Sequence, residues 1–280
     1  MPRRPLVLLA LALASVCGAF AVWLVALHVP AGRALDARAM QAFTGVVRPP
    51  LAPSIHGVAL LAGPTPFLIG CAGLTALALV RRRWLMAVVV PGVLLSANAT
   101  TQLLKPALAV PRIVELQGLA QVYPGSWPSG HSTAAMSLAL CLVLVVGPRL
   151  RASAAVLGAG YAIAVGYALV ALGDHLPSDV LGGYLVAGAF VLLGAAGLIA
   201  LEARTPARSA RRGRAPSLIP VPALVAGVAL ALLCAAAAVT VAAPGMTVSA
   251  LQHPTAIAAG AGIAALGLAL TAGLAAALRR

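Results

Sequence analysis

Eight long apolar runs, none holding a Lys, Arg, Asp or Glu, constrain this chain more than any other feature. They cover about residues 6–27, 56–80, 84–104, 131–147, 152–172, 180–201, 218–242 and 255–278. A helix needs roughly 20 apolar residues to cross a bilayer, and in hydrocarbon each backbone polar group must be satisfied within the chain. Strands of a membrane barrel would alternate polar and apolar residues; these runs do not. The expected fold is therefore all-α, a polytopic membrane helical bundle. Run 131–147 is short and needs part of the preceding segment, or a tilted arrangement, to span. The first run follows Arg3 and Arg4, as a signal peptide would. It exceeds the about 7–15 residues of a signal core and is read as a retained span.

Composition excludes the alternatives. Of 280 residues 62% are hydrophobic and 9% charged, against about 45–50% and about 25% in an ordinary soluble domain. A soluble globule, a disordered chain and a disulfide scaffold are all ruled out. Cys17, Cys71, Cys141 and Cys234 each lie in an apolar run and read as small hydrophobes, not as bridges or zinc ligands. A net charge of +14 would suggest nucleic acid in a soluble protein. Here the bases are confined between apolar runs and aromatics make up only 4% of the chain, too few for base stacking. No nucleic-acid partner is expected.

The same bases orient the chain. With the amino terminus in the cytoplasm, fourteen of the nineteen Lys and Arg fall on cytoplasmic segments: Arg3, Arg4, Arg81 to Arg83, Arg149, Arg151, Arg204, Arg208, Arg211, Arg212, Arg214, Arg279 and Arg280. Arg33, Arg38, Arg48, Lys105 and Arg112 fall outside, with four of the five acidic residues. The positive-inside rule thus predicts a multi-pass protein of the cell membrane with both termini cytoplasmic. Residues 202–217 read as a basic cytoplasmic linker between a six-span core (1–201) and a C-terminal two-span appendage (218–280). The last pair is nearly all Ala, Val, Leu and Gly, and its small residues around Gly260, Gly262 and Gly267 suit packing or homo-oligomer formation. No internal repeat supports an inverted-repeat transporter. A channel or transporter also predicts ionisable groups at mid-membrane depth, where the third span offers only Asn98 and Gln102.

Two external segments hold nearly all the polar chemistry. Segment 105–130 leads into His131, and segment 173–179 reads GDHLPSD. Two spans separate them, so Lys105, Arg112, Ser129, His131, His175 and Asp179 return to one face. Singly, each has a plain structural reading. Lys105 can snorkel from a helix end, Ser129 and Gly130 can start a helix, and Asp179 can complement a helix dipole behind Ser178. Together they suit a phosphate ester. Lys105 and Arg112 offer a point charge and a planar fork for phosphoryl oxygens. The amides opening the fourth span can bind an anion, and Gly130 admits it closely. His175 and Asp179 stand one helical turn apart, so the carboxylate can hold one imidazole nitrogen and leave the other nucleophilic. His131 can then protonate the leaving oxygen.

The blocks K-x6-R (Lys105 to Arg112), P-S-G-H (Pro128 to His131) and H-x3-D (His175 to Asp179), in this order, resemble the three motifs of the type 2 phosphatidic acid phosphatase superfamily. That superfamily includes lipid phosphate phosphatases, glucose-6-phosphatase and the vanadium haloperoxidases. The resemblance covers about residues 56–201, with the first span completing a six-helix core. It implies that His175 is the nucleophile that becomes a phosphohistidine, that Asp179 orients it, and that His131 protonates the leaving alkoxide and then activates water. Lys105, Arg112, Ser129 and Gly130 would bind phosphate oxygens, and no metal or other cofactor is implied. Two positions depart from the family pattern: Ile113 replaces a Pro, and Ala168-Leu169 replace the Ser-Arg usually found ahead of the third-motif His. The resulting expectation is a metal-independent membrane phosphatase acting on a lipid phosphate or polyprenyl (di)phosphate at the extracytoplasmic face. A phosphotransferase would use the same intermediate. The alternative is a non-catalytic lipid-phosphate binder or flippase-like protein.

Overall fold

In a computed structural model the protein is described over residues 3–46, 49–110, 124–203 and 253–278, and these residues form helices joined by turns and short irregular segments, with no strand among them. The helices are α1 (Arg3–His28), α2 (Pro30–Val46), α3 (Ala52–Leu60), α4 (Pro64–Val80), α5 (Trp84–Ala107), α6 (Gly130–Val145), α7 (Arg151–Ala171), α8 (Pro177–Ala203) and α9 (Pro254–Ala277), with a short 3-10 turn at Pro49–Leu51. Five of them, α1, α5, α7, α8 and α9, are long and apolar enough to cross a membrane, and the pair α3–α4 makes a sixth if counted as one bent span. The all-α bundle expected from the apolar runs is borne out. The expected span 218–242 and residues 204–217 of the expected linker lie outside the described residues, while Glu202 and Ala203 end α8.

Two departures from the expected spans have local causes. Run 56–80 is two helices meeting at 44°. Gly63 precedes Pro64 and takes an extended conformation (φ −65°, ψ 170°), because a residue before proline is pushed out of the helical region. Helix α2 was not expected at all; its residues, with Arg33, Asp36 and Arg38, read as an external loop. It is amphipathic, with Ala39 and Met40 buried and Leu35 and Arg38 exposed, a stripe that fits the helical period.

Helix α6 is the centre of the bundle, packed by α4, α5, α7, α8 and α9. An apolar helix with no polar face is expected in the interior, and α6 buries most of its residues. Its 16 residues span about 24 Å at about 1.5 Å each, short of the about 30 Å hydrocarbon layer. The segment leading into it is correspondingly sunk into the protein, with Gly125 to Ser129 all buried. Helix α9 docks on α7, α2, α6 and α8. The Tyr167 hydroxyl donates to the Gly260 carbonyl (2.8 Å) and Arg151 Nη1 to the Leu278 carbonyl (2.7 Å), while Gly267 faces Ile163.

These contacts sort the helix ends into two groups. At one end Arg83 pairs with Glu202 (3.7 Å) and Arg81 lies over Gly147, beside the Arg151–Leu278 contact. At the opposite end stand the carboxyl ends of α1, α5 and α7 and the amino ends of α6 and α8.

Candidate active site

The α7–α8 turn is built by a glycine. Gly173 has φ +76°, the left-handed conformation that closes many helices. Its N–H donates to the Val170 carbonyl (3.0 Å), the Asp174 N–H to the Leu169 carbonyl (3.1 Å), and the His175 N–H also reaches Leu169 (3.3 Å). This paired pattern satisfies the last carbonyls of α7 and sets the direction in which His175 leaves the helix. Pro177 then opens α8, where a missing N–H costs nothing. Asp179, in the first turn, is fully buried. Its Oδ2 accepts from the Leu176 N–H (3.1 Å) and stands 3.4 Å from His175 Nδ1. The carboxylate thus faces the Nδ1 side of the ring, where it can hold an Nδ1 proton.

The P-S-G-H segment is fastened directly to this turn. The Ser129 N–H donates to the Asp179 carbonyl (2.9 Å), which ties the start of α6 to the start of α8. Ser129 is the N-cap of α6, with its hydroxyl accepting from the Ser132 N–H (3.3 Å), and it is wholly buried. Thr133 Oγ1 lies 2.9 Å from the Ser129 carbonyl, 3.3 Å from the Gly183 carbonyl and 3.1 Å from Thr101 Oγ1, so α5, α6 and α8 meet at one polar point. The approach of α6 to α8 requires Gly183. A β-carbon there would stand 2.7 Å from the Ser129 carbonyl oxygen and 3.0 Å from the Thr133 nitrogen.

Lys105 comes from the last turn of α5 and is half-buried. Its Nζ stands 3.8 Å from where a Gly130 β-carbon would be, and Gln102 Nε2, one turn earlier, stands 3.1 Å from the same point. Both therefore face the open amino end of α6, where free N–H groups and the helix dipole favour an anion. His131, half-buried, is within electrostatic reach of His175, Lys105 and Asp174, and Asp179 acts likewise on Lys105. Lys105, Ser129, Gly130, His131, His175 and Asp179 are thus gathered at one end of the bundle. Arg112 lies outside the described residues.

The arrangement offers a nucleophilic imidazole held by a carboxylate, a second imidazole to move a proton, and a cation beside free helix amides. Reading the sequence missed Gly183 and Gln102. Close approach at Gly183 is a tertiary fact with no local signal, whereas the one-turn spacing of Gln102 from Lys105 was legible. Gly173 also went unremarked as a helix terminator, although a glycine just after an apolar run is a recognised stop signal. The Leu169 side chain is 2% exposed and belongs to the apolar core. Where the family resemblance leads one to expect an arginine, this chain has a hydrophobic contact, and the Leu169 carbonyl serves the His175 turn. Among the described residues no group of three His, Cys, Asp or Glu is placed to hold a metal ion.

Residues 84–200 match the PAP2 superfamily, the type 2 phosphatidic acid phosphatases, which bears out the resemblance carried by the three motifs. The matched segment contains every site residue named above. Among solved structures, the fold is similar to the crystal structure of the first transmembrane PAP2 type phosphatidylglycerolphosphate phosphatase from Bacillus subtilis. The TM-score is 0.54 and the identity 21%, over 69% of this chain and 96% of that one. A sequence comparison with curated proteins finds no match.

Proposed function

We propose that this protein is a membrane phosphatase of the PAP2 superfamily that hydrolyses a lipid phosphate, or a polyprenyl (di)phosphate, at the extracytoplasmic face through a phosphohistidine on His175. The observation that carries the reading is the convergence of the His175–Asp179 pair, at 3.4 Å, with His131 and Lys105 at the amino end of α6. The superfamily match over these residues supports the same chemistry. The fold shared with a membrane phosphatidylglycerolphosphate phosphatase supports a lipid substrate.

The phosphate sits against the Gly130 and His131 amides with Lys105 and Arg112 on its oxygens. Ser129, as the cap, aligns those amides and keeps its own hydroxyl proton to donate. His175 Nε2 attacks phosphorus; the N–P bond forms as the bond to the leaving alkoxide breaks, and His131 gives that oxygen a proton. The Nδ1 proton stays on the ring, and Asp179 balances the charge. Water then attacks phosphorus, its proton passes to His131, and the N–P bond breaks to release phosphate and restore both imidazoles. Preorganised donors of this kind supply much of the stabilisation of developing charge. No step needs a metal. The excess of arginine at the opposite end of the bundle supports the sidedness, with both termini in the cytoplasm.

The test is phosphate release by the purified protein offered phosphatidate, phosphatidylglycerol phosphate and polyprenyl phosphates and diphosphates, with His175→Ala as blank. Release on at least one of them, absent in the variant, is expected. Tight binding of a lipid phosphate with no release would replace the enzyme with a non-catalytic binder.

A further inference from the structure

Helix α2 carries a carboxylate in the wrong place for a simple amphipathic helix. Its inward stripe runs Asp36, Ala39, Met40 and Phe43, at spacings of three and four. Ala39 and Met40 are buried, and Phe43 packs on Tyr167 with ring centroids 5.9 Å apart. A charge at the head of a buried stripe needs a partner, and Asp36 has one 142 residues away. Its Oδ1 accepts from the Ser178 N–H (3.0 Å) and its Oδ2 from the Ser178 hydroxyl (2.5 Å).

The position of that partner gives the contact its meaning. In the first turn of α8, Leu176 precedes Pro177, and Asp179 reaches back to the Leu176 N–H (3.1 Å). That is one half of a capping box, in which the third helical residue serves the cap and the cap's side chain serves the first-turn amides. Leu176 has no side-chain acceptor, so the second half is missing from the local sequence. Asp36 supplies it from another helix, with a negative charge that also complements the helix dipole. The turn so capped contains Asp179 and directly follows His175.

We propose, building on the phosphatase reading above, that Asp36 is a positioning residue. It caps α8 from outside the motif segments and fixes the first turn, so that Asp179 holds the His175 ring for attack. Its contribution acts on the reacting geometry rather than on substrate affinity. Misplacement of a reacting group by about 1 Å costs on the order of 10²-fold in rate.

Asp36→Ala, Asp36→Asn, Ser178→Ala and the double variant Asp36→Ala/Ser178→Ala decide it, with Gln41→Ala on the exposed face of α2 as control. Asp36→Ala should lower kcat about tenfold or more with KM within about twofold. Asp36→Asn should recover most of the rate, because its amide can accept from the Ser178 N–H and donate to the Ser178 hydroxyl. The double variant should be little worse than Asp36→Ala alone, as expected for two ends of one contact. Hydrogen exchange, read by mass spectrometry on the peptide spanning 174–181, should rise in Asp36→Ala and not in Gln41→Ala. A normal kcat per folded molecule in Asp36→Ala, or a loss that falls on KM, overturns the proposal. So does unchanged exchange over 174–181, which needs no turnover to read. A wild-type protein inactive on every lipid phosphate would instead sink the phosphatase reading, and exchange alone would then decide whether Asp36 holds the turn.

Discussion

The two ends of the bundle use their ionisable groups differently. Among the described residues those at the far end are mostly arginines, and three of them contact helix ends or a carboxylate. Arg151 donates to the Leu278 carbonyl at the carboxyl end of α9, Arg83 pairs with Glu202, and Arg81 lies against the carboxyl end of α6. Cations at helix carboxyl ends are what the helix dipole favours, and these contacts need nothing beyond the protein. At the near end the types are mixed: two imidazoles, a buried carboxylate, a lysine and the amino end of α6, with one backbone bond joining the α6 and α8 starts. Charge count alone does not mark a reactive site; what does is unlike groups converging where an anion can be received.

The comparison breaks most sharply on single substitutions at the two ends. His175→Ala should reduce phosphate release to background, since no phosphoenzyme can form, while Arg151→Ala should leave kcat unchanged in the folded protein. A rate assay on detergent-purified material measures both. Substantial activity in His175→Ala would move the chemistry elsewhere. Next in size, Asp179→Asn and His131→Ala should each cost about 10²–10⁴-fold in kcat, through a misheld imidazole and a lost proton donor respectively. The loss in His131→Ala should be smallest for substrates with good leaving groups.

Gly183→Ala sharpens the comparison without touching a reactive group. Its β-carbon would press on the Ser129 carbonyl at 2.7 Å, so the starts of α6 and α8 must separate. A fall in kcat of about 10–100-fold, with a loss of about 1–3 kcal/mol in stability from overpacking, is expected from rate and thermal-melt measurements. Full activity would mean that the α6–α8 spacing does not set the site. The smallest effect belongs to the far end. The Arg83–Glu202 pair is partly exposed, at 23% and 35%, and breaking it with Glu202→Gln should change stability by no more than about 1 kcal/mol and the rate not at all. Chelation by EDTA should likewise leave the rate unchanged; a loss restored by a divalent ion would require a metal in the reaction.

Much of this was written locally in the chain. Hydropathy marks the spans because hydrocarbon leaves the backbone no other partner, and α1, α5, α7, α8 and α9 fall where their apolar runs lie. The motif residues were legible because their spacing puts His175 and Asp179 on one turn and because two spans return the chain to the same face. What escaped was less apolar or less local. Helix α2 was hidden by Arg33, Asp36 and Arg38, which suggest a loop until their three- and four-residue stripe is seen against α7 and α9. The break at Gly63-Pro64 was readable from the dipeptide and was submerged in a continuous apolar run. Gly183 and the Asp36–Ser178 contact depend on which helices become neighbours, and no window of sequence states that. Ser129 takes its helix-cap reading, with its hydroxyl accepting from the Ser132 N–H.

The central claim is covalent, and the phosphoenzyme tests it most directly. The wild-type protein, quenched during turnover of a ³²P-labelled lipid phosphate, should carry an acid-labile, base-stable label. That label should map to the peptide containing His175 and be absent from His175→Ala. Turnover without such a label, or a label on any other residue, would contradict the account.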